Sequence, residues 1–170
     1  MRIGIIGSDD RAMAIGRLLR DGGHQVTFGD PGAKDRAQRA AMTVGTRAQT
    51  PYDQAMCSDL VLFAIPREEV DRAVVALGSS ADAIIVDAVA GERGNGRFSG
   101  AEMLARKLNS NSVVRALINM PQSGANVPIC GDDPNAKVLV EQALRASGCL
   151  TTDRGPLANS IELESPAIAA

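Results

Sequence analysis

The residues best placed to do chemistry lie in one run, Met1-Arg-Ile-Gly-Ile-Ile-Gly-Ser-Asp-Asp-Arg-Ala-Met-Ala-Ile-Gly16. An apolar strand ends at Gly7 and a helix begins near Asp10. A dinucleotide-binding turn at such a junction reads G-x-G-x-x-G/A: the first glycine makes the bend, the second admits a pyrophosphate to the backbone, and the third lets helix and sheet pack closely. Gly7 fills the first place and Ala12 the third, but Asp9 stands at the second. A side chain there obstructs the approach, and its charge opposes phosphate. Two like charges about 5 Å apart at an effective dielectric near 20 repel by roughly 3 kcal/mol, on the order of a hundredfold in affinity. Asp10 adds to the repulsion, while Arg11 carries the opposite charge. Candidate cofactor-binding residues in this run are Gly7, Ser8, Asp9, Asp10, Arg11 and Ala12. Asp9 or Asp10 has a second reading as the helix N-cap, a position that favours acids.

A second candidate is Asp30, 23 residues after Gly7 at the end of the next apolar run. An acid at this place in a dinucleotide-binding unit bonds the ribose hydroxyls and disfavours a 2′-phosphate. Lys34 and Arg36 follow closely and suit a phosphate instead. The sequence Gly29-Asp-Pro-Gly32 also has turn chemistry throughout.

Other chemistries lack their residues. His24 is the one histidine. That excludes Ser-His-Asp and Cys-His catalysis, and no metal is expected. Neither G-x-S-x-G nor G-x-x-x-x-G-K-[ST] occurs. Asp132-Asp133-Pro134 reads as the cap of a helix opening at Pro134 rather than a metal pair. Cys57, Cys130 and Cys149 are widely spaced, so three small core residues in a reducing cytoplasm are expected.

These side chains need a scaffold, and the chain supplies one. Apolar runs at Ile3–Ile6, Gln25–Phe28, Leu60–Ile65, Ala83–Val86, Val113–Ile118 and Val127–Cys130 are mostly continuous, as strands covered on both faces require. Between them lie stretches of helical length at Arg11–Asp21, Ala33–Met42, Pro51–Cys57, Arg67–Leu77, Gly100–Leu108 and Pro134–Ala146. The alternation predicts one domain over residues 1–170: an α/β, doubly wound, mostly parallel sheet with any ligand along one edge. Gly91 to Gly100, with four glycines, follows a strand onto that edge and suits a lid or a plain loop.

Composition narrows the class further. The net charge is −2 over 170 residues and aromatics are 2%, with a pI near 5.4. A nucleic-acid binder usually shows a basic footprint and stacking aromatics, so none is expected as a partner. No run reaches the length of a membrane span, and the N-terminus has no signal-peptide pattern, so a cytoplasmic protein is expected.

The chain also resembles the coenzyme F420 (deazaflavin)-dependent NADP oxidoreductases, over nearly all 170 residues. The generic part is Met1 to Gly7 and Gly23-His-Gln-Val-Thr-Phe-Gly29. The more specific part is Val127-Pro-Ile-Cys-Gly-Asp-Asp133, Ala136-Lys137, Asp153-Arg-Gly-Pro-Leu157, Asn159-Ser160 and Leu163-Glu164. Leu62 to Pro66, Val86 to Ala88, and Val113 to Leu117 followed by Pro121 look similar as well. The resemblance implies a Rossmann fold with an NADP (or NAD) site across Gly7 to Ala12, the end of the second strand, and Ala64, Ile65 and Pro66. It implies a hydride-transfer pocket near Ala88, Val89, Asn119, Met120 and Pro121. Such enzymes pass hydride directly, so placement and water exclusion do most of the work and no catalytic acid or base is singled out.

The departures from the family pattern are Asp9 for glycine, Asp30-Pro31 for a Ser-Arg pair, and Ile118 for a polar pocket residue. Family members continue into a further helical segment that builds substrate site and dimer, whereas this sequence ends at Ala170. An uncovered apolar face and a homodimer are therefore expected. Two functions remain open: an NAD(P)H-dependent oxidoreductase acting on a small acceptor, and a non-catalytic binding or regulatory module that has lost tight dinucleotide binding. A mononucleotide or cationic metabolite in the same crevice is a weaker third.

Overall fold

In the computed structural model, residues 1–78, 83–91, 97–117, 119 and 122–164 are described. Eight strands form one sheet: β1 (Arg2–Ile6), β2 (Gln25–Gly29), β3 (Arg47–Ala48), β4 (Leu60–Phe63), β5 (Ile84–Asp87), β6 (Val113–Arg115), β7 (Asn126–Gly131) and β8 (Leu150–Asp153). Their order is β3-β2-β1-β4-β5-β6-β7-β8. Every pairing is parallel except β6 with β7. The order reverses beside β1, between β2 and β4, which in doubly wound sheets is where a crevice opens beyond the strand ends.

Among the described residues seven α-helices cover the two faces: α1 (Asp10–Asp21), α2 (Lys34–Val44), α3 (Pro51–Cys57), α4 (Val70–Leu77), α5 (Gly100–Leu108), α6 (Pro134–Ala146) and α7 (Ser160–Leu163). The strands alternate their side chains between two separate cores, as a pleat demands. Ile3, Ile5 and Phe28 join Ile15, Leu19, Val44 and Leu144 on the α1, α2 and α6 side. Ile6, Val61, Phe63 and Ile85 join Leu77 and Leu104 on the α4 and α5 side. Every residue of β4 is buried, which accounts for its uninterrupted apolar run.

The predicted strands and helices are present; α3, α5 and α6 have the expected bounds, and the ends of the others are shifted. Leu60–Ile65 is strand only to Phe63, and Val113–Ile118 only to Arg115. In the second case the chain leaves the sheet at Leu117, whose φ of +58° no strand accommodates. Arg67–Leu77 divides into a 3₁₀ turn at Arg67–Glu69 and α4. Four elements among the described residues lay outside the expectation: β3 with two residues, β8, a 3₁₀ turn at Leu157–Asn159, and the short C-terminal α7.

The expectation of three core cysteines needs correction. Cys130 and Cys149 are buried, but Cys57 is exposed at the last position of α3. Residues 92–96 of the glycine-rich segment lie outside the described residues. Its end is well defined, because Ser99 and Glu102 form a reciprocal capping box on α5.

Candidate functional site

Gly7 carries the chain out of β1 with φ +135°, and a Cβ there would stand 2.1 Å from the Ala64 carbonyl oxygen. Only glycine fits such a backbone against such a neighbour. The Gly7 N–H donates to the Gly29 carbonyl at 2.9 Å, and the Ala64 N–H to that of Ile6 at 2.9 Å. The ends of β1, β2 and β4 are thus bound together around the turn. Beyond them Ile65 and Pro66 lead toward β5: the Ala90 N–H donates to the Ile65 carbonyl at 3.0 Å.

Asp9 has an extended backbone, with φ −78° and ψ 177°, and is the N-cap of α1. Its carboxylate accepts the Ala12 N–H at 2.7 Å. Of the two readings open for this acid, the structure places its side chain in the capping one; Asp10 is the first helical residue. The other early amides of α1 have no acceptor within the helix, and the helix dipole favours an anion there.

Asp30 follows the last residue of β2, with a side chain 2% exposed. It accepts the Ser8 hydroxyl at 2.7 Å and the Gly32 and Ala33 N–H groups at 2.9 Å each. Arg36 closes the ring with Nη2 at 3.2 Å and Nε at 3.1 Å. Burial works against ionisation here, but the Ser8 hydroxyl, the Gly32 N–H, Arg36 and the Ala33 N–H outweigh it. The carboxyl is held below its ordinary range. Three cations surround this corner. Lys34 is exposed at the start of α2, Arg36 reaches Glu69 at 3.7 Å, and the Arg72 guanidinium lies 2.6 Å from where a Gly32 Cβ would be. Turn chemistry and an acid at the strand end therefore coexist in one residue.

The expected substrate pocket is described only in part. Ala88 and Val89 are fully buried beyond the end of β5, and Asn119 is exposed. Ile118, Met120 and Pro121 lie outside the described residues. Two groups that the sequence reading did not single out lie beside this region. Asp87 and Arg115, 0% and 1% exposed, form an ion pair at 2.8 Å between the ends of β5 and β6, and the Asp87 carboxylate also accepts the Val89 N–H at 3.1 Å. The signal was available: each of two neighbouring apolar strands is interrupted by one charge, of opposite sign, and buried charges come in pairs. The other unanticipated contact is that of Arg11, whose Nη2 donates to the Leu117 carbonyl at 2.7 Å.

Residues set aside as structural have structural partners. His24 Nε2 lies 3.0 Å from the Ala143 carbonyl, which ties the start of β2 to α6. Asp133 caps α6 through the Asn135 and Ala136 N–H groups. Among the described residues no three or more His, Cys, Asp or Glu gather in a way that would hold a metal. No helix among them is long and apolar enough to cross a membrane.

The profile of the family described as NADP oxidoreductase, coenzyme F420-dependent, matches residues 2–91, more than half of the chain. The chain belongs to that family. Its fold, a single α/β sheet of mostly parallel strands with helices on both faces, recurs in solved relatives. A protein of Arthrobacter sp. FB24 provisionally assigned as an F420-dependent NADP-reductase superposes with a TM-score of 0.80 at 20% identity, over 95% of this chain and 88% of that one. A hypothetical protein of Sinorhizobium meliloti, SMa0349, gives 0.83 at 17% identity, over 94% and 87%. The metalloreductase STEAP3 of Rattus norvegicus is 32% identical over 96% of this chain, which spans 36% of that protein. Membership supports an NAD(P)-dependent, oxidoreductase-like function with NADP-type nucleotide binding. The turn at Gly7 fits such a ligand. The glycine needed for the bend is present, the neighbouring carbonyl closes it to any other residue, and the intruding carboxylate is turned onto its own helix.

Proposed function

We propose that this chain binds NADP(H) across the Gly7 turn and the corner at Asp30, with the nicotinamide end directed to Ala88, Val89 and Asn119, and that it serves as an oxidoreductase unit delivering hydride to a small acceptor. The observation that carries the reading is the intact bend at Gly7 in front of α1. There the early amides of α1 would take the diphosphate, with Ser8, Asp10 and Arg11 around it, while Ala64, Ile65 and Pro66 wall the opposite side. The cofactor supplies the hydride. The chain's part is to hold the ring against buried Ala88 and Val89 and to keep water away, on a floor fixed by the Asp87–Arg115 pair.

Asp30 argues for the 2′-phosphorylated cofactor. An ionised carboxylate offers about four lone-pair sites, and five donor contacts from Ser8, Gly32, Ala33 and Arg36 already converge on it. A ribose 2′-hydroxyl therefore finds no acceptor left, whereas Lys34, Arg36 and Arg72 suit a phosphate. Calorimetric titration with NADPH, NADP+, NADH and NAD+ tests this. A Kd below about 100 μM, a free energy of roughly −5.5 kcal/mol, is expected for the phosphorylated pair. Silence of all four at millimolar concentration overturns the reading and leaves the binding-module alternative, which Asp9 favours.

We also propose a homodimer, because β8 is an edge strand with Leu150 64% exposed and α6 beside it leaves Val138 49% exposed. Sedimentation showing only monomer at high micromolar concentration would count against it.

A further inference from the structure

Arg11 holds an uneasy position. It is the second residue of α1, next to Asp10 and two places from the cap. Its side chain leaves the helix and reaches the far side of the crevice, where Nη2 donates to the Leu117 carbonyl at 2.7 Å. Leu117 is one of two non-glycine residues with positive φ among the described residues. A side chain in that region is strained, so the carbonyl that Arg11 grasps belongs to a strained peptide. Burial is the largest influence on the guanidinium and works against its charge; Asp9 and Asp87 favour the charge and Arg115 opposes it. A guanidinium half withdrawn from water, with Arg115 near it as well as Asp9 and Asp87, is placed to meet an anion that enters beside the turn. Its planar fork matches phosphate oxygens.

We propose that Arg11 is the diphosphate-binding cation of the crevice: on dinucleotide entry its guanidinium exchanges the Leu117 carbonyl for a diphosphate oxygen and offsets the acid that replaces the second glycine. The inference rests on the dinucleotide reading above. It explains how the turn takes a diphosphate with Asp9 present, and it couples occupancy of the turn to the release of Leu117 at the entrance to the acceptor pocket.

The test is calorimetric titration of the full chain with NADPH, at low and at roughly physiological ionic strength, using wild type, Arg11→Gln, Arg11→Lys and Asp9→Asn. A hydrogen bond to a charged group contributes about 1.5–3 kcal/mol. Arg11→Gln is therefore expected to bind about 10- to 100-fold more weakly, with a shallower salt dependence because one screened attraction is gone. Arg11→Lys, which keeps charge and reach, is expected to recover most of the loss. If Arg11→Gln binds as tightly as wild type, the proposal falls while the dinucleotide reading stands. If Gln and Lys variants are equally weak and their salt dependence is that of wild type, Arg11 is only a strut and the proposal falls. If neither wild type nor Asp9→Asn binds NADPH, the reading of the turn fails and takes the proposal with it.

Discussion

Replacing Gly7 with alanine separates two costs that glycine conceals. Gly7 and Gly23 both have positive φ, +135° and +83°, but their surroundings differ. A Cβ at Gly23 meets nothing within 4 Å, so Gly23→Ala adds backbone strain alone, about 1–2 kcal/mol. A Cβ at Gly7 meets the Ala64 carbonyl oxygen at 2.1 Å and its carbon at 2.9 Å. Both are main-chain atoms, tied to Ile6 through the Ala64 N–H. Real Cβ atoms essentially never come within 3.0 Å of a neighbour, so the end of β4 has to move by about 1 Å in a close-packed interior. Overpacking costs about 1–3 kcal/mol, and a φ near +135° adds about 1–3 kcal/mol for any other residue. Gly7→Ala should thus lose about 2–6 kcal/mol, against about 1–2 kcal/mol for Gly23→Ala. Urea unfolding with a shared m-value measures both. In a chain of this size the loss at Gly7 lowers Tm by about 4–24 °C. A Gly7→Ala variant no less stable than Gly23→Ala refutes the close approach on which the site is built.

Other changes have defined outcomes. Asp87→Asn removes one charge of a buried pair and should destabilise by about 3–5 kcal/mol, with Asp87→Leu plus Arg115→Met recovering most of it; urea unfolding of the three proteins decides. Asp30 titrates below its ordinary range in the folded chain, so the unfolded chain takes the proton first. Its contribution is complete above the unfolded value of about 3.9 and is lost as pH falls through it toward the lower folded value. Asp30→Asn should flatten the fall in stability between about pH 5 and pH 3, and an unchanged acid limb contradicts the network around Asp30. For the cysteines, burial pushes the Cys130 thiol up to about 11 and raises that of Cys149, while Cys57 is exposed. A thiol reagent should titrate one group in the native protein and three after unfolding.

The scaffold was legible because its elements obey local rules. Continuous apolar runs mark strands buried on both faces, and Pro51 and Pro134 open helices at the positions the sequence suggests. What escaped has little local signature. β3 has two residues, Arg47 and Ala48, and exists only by pairing with Thr27 and Phe28. β8 is an edge with Leu150 and Asp153 exposed, so no buried face imprints a pattern on it. β6 ends early because Leu117 turns left-handed, a choice that leucine does not announce. The first turn was readable as a bend and a capped helix, yet the reach of Arg11 to Leu117 spans 106 residues and belongs to the tertiary structure alone.

The acid at position 9 shows how two demands meet in one residue. As a cap it contributes about 0.5–2 kcal/mol to α1; as a charge beside a diphosphate it opposes binding by roughly 3 kcal/mol. For a nucleotide-binding turn that exchange is unfavourable unless a cation stands close by. The same chain moves its other crevice acid, Asp30, into a ring of donors that includes Arg36. In both places an arginine on the following helix offsets the acid's charge: Arg36 pairs directly with Asp30 at 3.1 Å, while Arg11 and Asp9 interact through space in the first turn of α1. The repeated arrangement favours a crevice still organised for an anionic ligand.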